Sequence, residues 1–137
     1  MSKITKQEFT ELVDAQLPWA VDVGIELRKI EYGKVTLALP YHERSTRPGG
    51  TISGPHMMLL ADACMYAVVL SMIGKVELAV TTNLNINFLR KPSETDLIAE
   101  GTIIKLGKRL AVLEVSIFSK KDIVAHVTGT YSIPPDR

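Results

Sequence analysis

The stretch Gly50–Ile73, GTISGPHMMLLADACMYAVVLSMI, constrains this chain more than any other. After Pro55 it runs without glycine or proline for the length of a long helix and is apolar on almost every face, so such a helix has to be buried. Ser53 can cap it, Gly54 lets another molecule approach the backbone, and Pro55 in the first turn has no N–H to leave unsatisfied. These signals predict a central helix over about 54–73. A single carboxylate, Asp62, interrupts the apolar surface, where an ionised group costs several kcal/mol unless it is solvated or paired. The helix reaches membrane-spanning length, but a central Asp costs about 2.5–3.5 kcal/mol on insertion scales and aromatic anchors are missing. No membrane partner is expected.

A chain of 137 residues suits one domain, here 1–137, with a real core. Sixteen Lys and Arg against fifteen Asp and Glu leave the net charge near zero, and no basic block interleaved with aromatics marks a nucleic-acid footprint. The single cysteine, Cys64, excludes an intrachain disulfide and falls within the apolar helix, where it reads as a small core hydrophobe. The N-terminus, MSKITKQEFTELVDAQ, is polar and lacks the apolar run of a secretory signal, so a cytoplasmic location is expected.

Phe9, Leu12, Val13 and Leu17 recur at helical spacing among charged neighbours, which predicts an amphipathic surface helix over about 5–17 that ends before Pro18. Ile25–Ile30 and Lys34–Leu39 read as a hairpin turning at Glu31, Tyr32 and Gly33. A polar, kinked loop follows from Pro40 to Gly50. Beyond the helix, Gly74 is the stop, and Glu77–Leu89 alternates as a half-buried strand, with Thr82, Leu84, Ile86 and Phe88 on one face and Thr81, Asn83, Asn85 and Asn87 on the other. Three more runs, Asp96–Leu106, Arg109–Ser119 and Ile123–Ile133, have separators too short for helical crossovers, so they pair antiparallel. The expected class is α+β: a curved antiparallel sheet of about six strands wrapped around one long helix. Its open edges favour pairing across a two-fold axis into a homodimer, with a dimer of dimers as a further option.

From about Gly24 to Ile133 the chain resembles the hotdog-fold thioesterases, in particular the phenylacetyl-CoA thioesterase-like (PaaI-like) branch. Gly50 is followed by Ser53-Gly54-Pro55 where that branch has His-Gly-Gly, and Leu60-Ala61-Asp62 stands at the spacing of its Leu-x-Asp. Asn87–Pro92, NFLRKP, and the turn before Lys108-Arg109 also resemble the family's strand and hairpin. The departures are Ser53 at the histidine position and Pro55 at the second glycine. His56, three positions on, is expected to face elsewhere than Ser53.

The resemblance implies an acyl-CoA thioesterase for small or medium acyl groups, aromatic ones included, with coenzyme A as part of the substrate and no other cofactor. Asp62 would be the general base or nucleophile and the Gly54 N–H the oxyanion donor, since a helix start offers free N–H groups and a positive dipole end. Eight residues of helix separate the two, roughly 12 Å at about 1.5 Å per residue, so one thioester can meet both only if they come from two subunits. Thr81 or Thr82 would assist the carboxylate, and Ser53 would cap the helix or bond substrate. Arg47, Pro55, Arg90, Lys108 and Arg109 are the candidate substrate-binding residues, the basic ones for phosphates. His42 and His126 are not spaced as metal ligands, so no metal is expected. Ser53 in place of histidine keeps open a non-hydrolytic acyl-CoA-binding protein; a hotdog dehydratase is the second alternative, although its usual histidine-bearing pattern is not seen here.

Overall fold

The computed structural model describes residues 1–135; the last two residues of the expected 1–137 domain lie outside the described residues. The elements in chain order are α1 (Lys6–Gln16), α2 (Pro18–Val23), β1 (Glu26–Glu31), β2 (Lys34–Leu39), α3 (Gly54–Ile73), β3 (Val80–Phe88), β4 (Leu97–Leu106), β5 (Leu110–Ser119) and β6 (Asp122–Ser132). A short 3-10 turn, Glu43–Ser45, lies in the loop before α3. All six strands form one antiparallel sheet in the order β1-β2-β4-β5-β6-β3 that curves around α3.

Thirteen of the twenty residues of α3 are buried, which is why its apolar surface needs no lipid. The sheet face that receives it carries Leu37, Leu97, Leu113, Val115, Ile117 and Val127, all with no exposed surface. The buried polar atoms of the helix are used locally. Ser71 Oγ donates to Val68 O (2.6 Å) and accepts from the Gly33 N–H (2.9 Å), tying the β1–β2 turn to the helix. Gly33 itself stands at φ +77°, a left-handed conformation that a side chain disfavours.

Two features depart from the sequence expectation. Helix α1 ends before Pro18 as expected, but Pro18 then opens an unexpected second helix, α2, in the first-turn position where its missing N–H costs nothing, and α2 closes on Gly24 in the left-handed conformation. Strand β3 also breaks strict alternation. Its register against β6 pairs Thr81 with Tyr131 and then Asn83 with Thr130, so Thr82 is the extra residue of a β-bulge. A one-residue insertion inverts parity: Thr81 joins Leu84, Ile86 and Phe88 on the helix side, although simple alternation puts it among the asparagines. Thr82 is exposed, and Phe88, expected on the buried face, remains 53% exposed because β3 is the sheet's outer strand.

Close packing beneath the sheet depends on glycine. A Cβ at Gly101 would lie 2.7 Å from Cys64 Sγ and 3.1 Å from Val68 Cγ2. Overpacking there costs about 1–3 kcal/mol. Gly101→Val is therefore expected to lower the calorimetric unfolding midpoint by several degrees, and an unchanged midpoint would contradict this packing.

Candidate functional site

Asp62 lies on α3 where the helix passes the β3–β6 pair. Tyr131 of β6 donates its phenol hydrogen to Asp62 Oδ1 (2.8 Å), and Thr81 of β3 donates its hydroxyl to the same oxygen (2.6 Å). The Tyr131 oxygen also lies 3.1 Å from the Asp62 main-chain carbonyl. Asp62 Oδ2 has no hydrogen-bond partner among the described residues, so one oxygen is anchored and the other is available. Burial first, and the neighbouring Asp62 carboxylate second, push the Tyr131 phenol far above its ordinary range, so it remains a donor at any physiological pH.

The bulge in β3 decides between the two threonines. Thr81 reaches Asp62, whereas Thr82 donates to Thr130 O (3.2 Å) on the outer side. Tyr66, one turn beyond Asp62, does not bond it; its hydroxyl donates to Glu77 O (3.0 Å), and burial together with Glu77 raises its pKa. Asp62, Thr81, Tyr131 and Tyr66 line a cavity of about 350 Å³ with Leu17, Trp19 and Ala63.

The helix start forms a second, separate cavity of about 490 Å³, lined by Gly54, Thr51, Met57, Phe88, Arg47, Arg90 and Lys91 among others. The Gly54 N–H, the first of α3, finds no acceptor among the described residues, as expected of an orphan donor at a helix start. Phe88 sits so close that a Cβ at Gly54 would lie 3.1 Å from its ring. Thr51 is 3% exposed, and its Oγ1 is buried without a hydrogen-bond partner among the described residues. Leaving such an atom without a partner costs about 1–3 kcal/mol, and it lies in the wall of this cavity. Thr51 does not stand out as a site residue in the sequence, because a buried threonine is ordinary, whereas Lys91 follows Arg90 in a strand-end basic pair.

Ser53 caps α3, its Oγ accepting from the His56 N–H at 3.3 Å. The same oxygen shares a 2.6 Å hydrogen bond with His56 Nδ1, so the imidazole expected to face away from Ser53 instead meets it. The reason is geometric: residue N3 of a helix turns back over its cap. Arg47 and Arg90 line the Gly54 cavity as their positions suggest, and Arg90 also stands 3.7 Å from Asp122 on the exposed surface. Pro55 is exposed and lines neither cavity, because the helix turns it outward; Lys108 and Arg109 line neither, because the β4–β5 turn that carries them lies by Ser132 and Ile133, while Gly54 lies by Phe88 at the other end of β3. No group of three His, Cys, Asp or Glu side chains that could hold a metal occurs among the described residues.

Cys64 lies two residues from Asp62, but it is fully buried and burial pushes its thiol up to about 12. A thiolate nucleophile is thereby excluded. A thiol reagent at pH 8 is expected to leave Cys64 unmodified until denaturant unfolds the chain, and rapid labelling of the native protein would contradict this environment.

Residues 49–126 match the family model described as the thioesterase superfamily. A candidate esterase of Saccharolobus solfataricus is 34% identical over 113 residues, which span 81% of this chain and 74% of that protein. Among solved structures, a candidate thioesterase of a Silicibacter species is 39% identical with a TM-score of 0.89, covering 98% of this chain and 95% of that one. The Escherichia coli PaaI protein of the phenylacetic acid degradation operon shares the fold, with a TM-score of 0.83 at 18% identity over 94% of this chain and 93% of its own.

Proposed function

The chain belongs to the thioesterase superfamily and is a thioester hydrolase, and from that premise we propose that it hydrolyses acyl-CoA thioesters at a site shared by two copies of itself. The observation that carries the proposal is the anchoring of Asp62 by Thr81 and Tyr131 on one oxygen only. With Oδ1 held, Oδ2 can take a proton from water. The water oxygen then bonds to the thioester carbonyl carbon, and negative charge gathers on the carbonyl oxygen. When the C–S bond breaks, the proton held by Asp62 passes to the departing thiolate, so the products are a carboxylic acid and free coenzyme A. Water is the only co-reactant, and coenzyme A enters as part of the substrate.

The oxyanion donor in this scheme is the Gly54 N–H of the other copy. Within one copy, Gly54 and Asp62 are eight residues apart on a straight helix and open into different cavities. That is roughly 12 Å of helix, too far for one carbonyl group. The outer edge of β3 supports pairing: its strand partner is missing on one side, and Leu78, Val80, Phe88 and Leu89 leave more than half of their surface exposed beside it. A homodimer joined at β3 would lay two α3 helices antiparallel and bring each Gly54 toward the partner's Asp62. Ser53 caps that helix start and keeps its N–H groups aligned. Arg47, Arg90 and Lys91 gather positive charge in the Gly54 cavity, which suits the phosphates of coenzyme A. The lone thiol and lack of any disulfide accord with a cytosolic setting.

Thiol release from a panel of acyl-CoAs tests this directly. Asp62→Asn is expected to lower kcat by about 10²–10⁴ with acyl-CoA binding retained, and Thr81→Val to lower it less. Tight binding of acyl-CoA by the unaltered protein without any thiol release would make it a binding protein and overturn the hydrolytic proposal.

A further inference from the structure

We infer that the cavity beneath α1 and α2 is the chamber for the acyl tail, and that it selects tails without charge; this rests on the thioesterase function proposed above. The cavity measures about 440 Å³, within the range of small-ligand pockets, and its walls are Phe9, Val13, Leu17, Ala20, Val21 and Leu27. Two further facts tie it to the reaction. Leu17 and Ala63 line both this cavity and the one holding Asp62, and Ala63 is the residue next to Asp62 on α3. The two spaces therefore adjoin at Leu17 and Ala63, where the short methyl side chain of Ala63 takes up little room.

Charge gives the substrate a direction. The Gly54 cavity is lined by Arg47, Arg90 and Lys91 and by no acid, whereas the chamber under α1 and α2 is lined by Asp14 and Glu26 and by no cation. Glu26 is paired with Arg28 at 3.2 Å on the exposed surface, a contact that screening leaves weak. Asp14 has no ion pair among the described residues. An anionic coenzyme A is thus repelled from the chamber and attracted to the basic cavity. A hydrocarbon tail has the opposite preference, because Val21, 46% exposed, and the half-buried Val13 and Leu17 lose contact with water when it enters. A tail ending in a carboxylate would meet Asp14 and Glu26. Alkyl and aryl acyl groups fit this arrangement, and monothioesters of dicarboxylic acids do not.

The test compares the unaltered protein with Val13→Phe, which narrows the chamber away from Asp62, and Asp14→Lys, which reverses charge at its rim. Propionyl-, octanoyl-, hexanoyl- and glutaryl-CoA serve as substrates. Val13→Phe is expected to lower kcat/KM for octanoyl-CoA about tenfold relative to propionyl-CoA, and Asp14→Lys to raise kcat/KM for glutaryl-CoA several-fold relative to hexanoyl-CoA. A second readout does not depend on turnover. Trp19, the chain's single tryptophan, lines the Asp62 cavity, so its fluorescence reports binding of the unhydrolysable thioether S-octyl-CoA. Thiol release with an identical chain-length profile in the unaltered protein and Val13→Phe would overturn the chamber, and an unchanged glutaryl- to hexanoyl-CoA ratio in Asp14→Lys would overturn its selection against charge. If no acyl-CoA is hydrolysed but S-octyl-CoA binding is weakened by Val13→Phe, the chamber stands and the hydrolytic function falls.

Discussion

Two hydroxyl groups on one carboxylate oxygen are the contact on which the rest of the arrangement depends. Asp62 sits in a helix otherwise made for burial, and a charge there is tolerated only because Thr81 and Tyr131 take over part of the work of water. Hydrogen bonds to charged groups contribute about 1.5–3 kcal/mol each, comparable with the cost of partly desolvating a carboxylate. Tyr131 can serve because its own burial keeps it protonated. Its ring lies 6.2 Å from that of Tyr66, which in turn stands 6.5 Å from Phe9, so the acid is backed by an aromatic row reaching α1. The β3 bulge belongs to the same contact: without the extra residue, Thr81 would face away and the carboxylate would lose one of its two anchors.

Around this point the fold separates jobs by place. The curved sheet absorbs the apolar helix, which leaves the start and the middle of α3 to differ chemically. Its start gathers arginines, a lysine and an unpaired N–H, while Asp62, near its middle, lines a cavity that shares Leu17 and Ala63 with the apolar space under α1 and α2. A long substrate with a charged head and an oily tail suits such a division. One copy of the chain cannot connect the two halves, since the helix itself holds them apart.

Much of this was legible in the sequence because burial leaves periodic marks. The central helix appears at its expected bounds, 54–73, since its cap, its proline and its stop at Gly74 are all local signals. The hairpin and strands β4 to β6 fall within a residue of their expected ends for the same reason, whereas β3 starts at Val80, three residues beyond the expected Glu77. What stayed hidden depends on contacts across the chain. Nothing in the string TTNLNINF says that Thr82 is a bulge; only the register against Thr130 and Tyr131 reveals it. Helix α2 was concealed because a proline that opens a helix looks, in sequence, like one that ends its predecessor. The bond between Ser53 and His56 escaped because spacing along a helix does not describe the cap, whose backbone is extended. The unmet hydrogen bond of Thr51 Oγ1 and the acidic rim of the α1–α2 chamber are likewise properties of the assembled fold.

The central claim is that one copy supplies Asp62 and the other supplies the Gly54 N–H to the same thioester, and mixing two inactive variants tests it most directly. Asp62→Asn removes the acid; Gly54→Pro removes the donor at a first-turn position that suits the proline backbone, although its ring presses on Phe88, 3.1 Å from a Cβ placed there. Unfolded together and refolded as a mixture, the two are predicted to regain up to about a quarter of the unaltered activity, because half of the dimers are mixed and each mixed dimer rebuilds one complete site. A mixture no more active than its separate components would contradict a shared site.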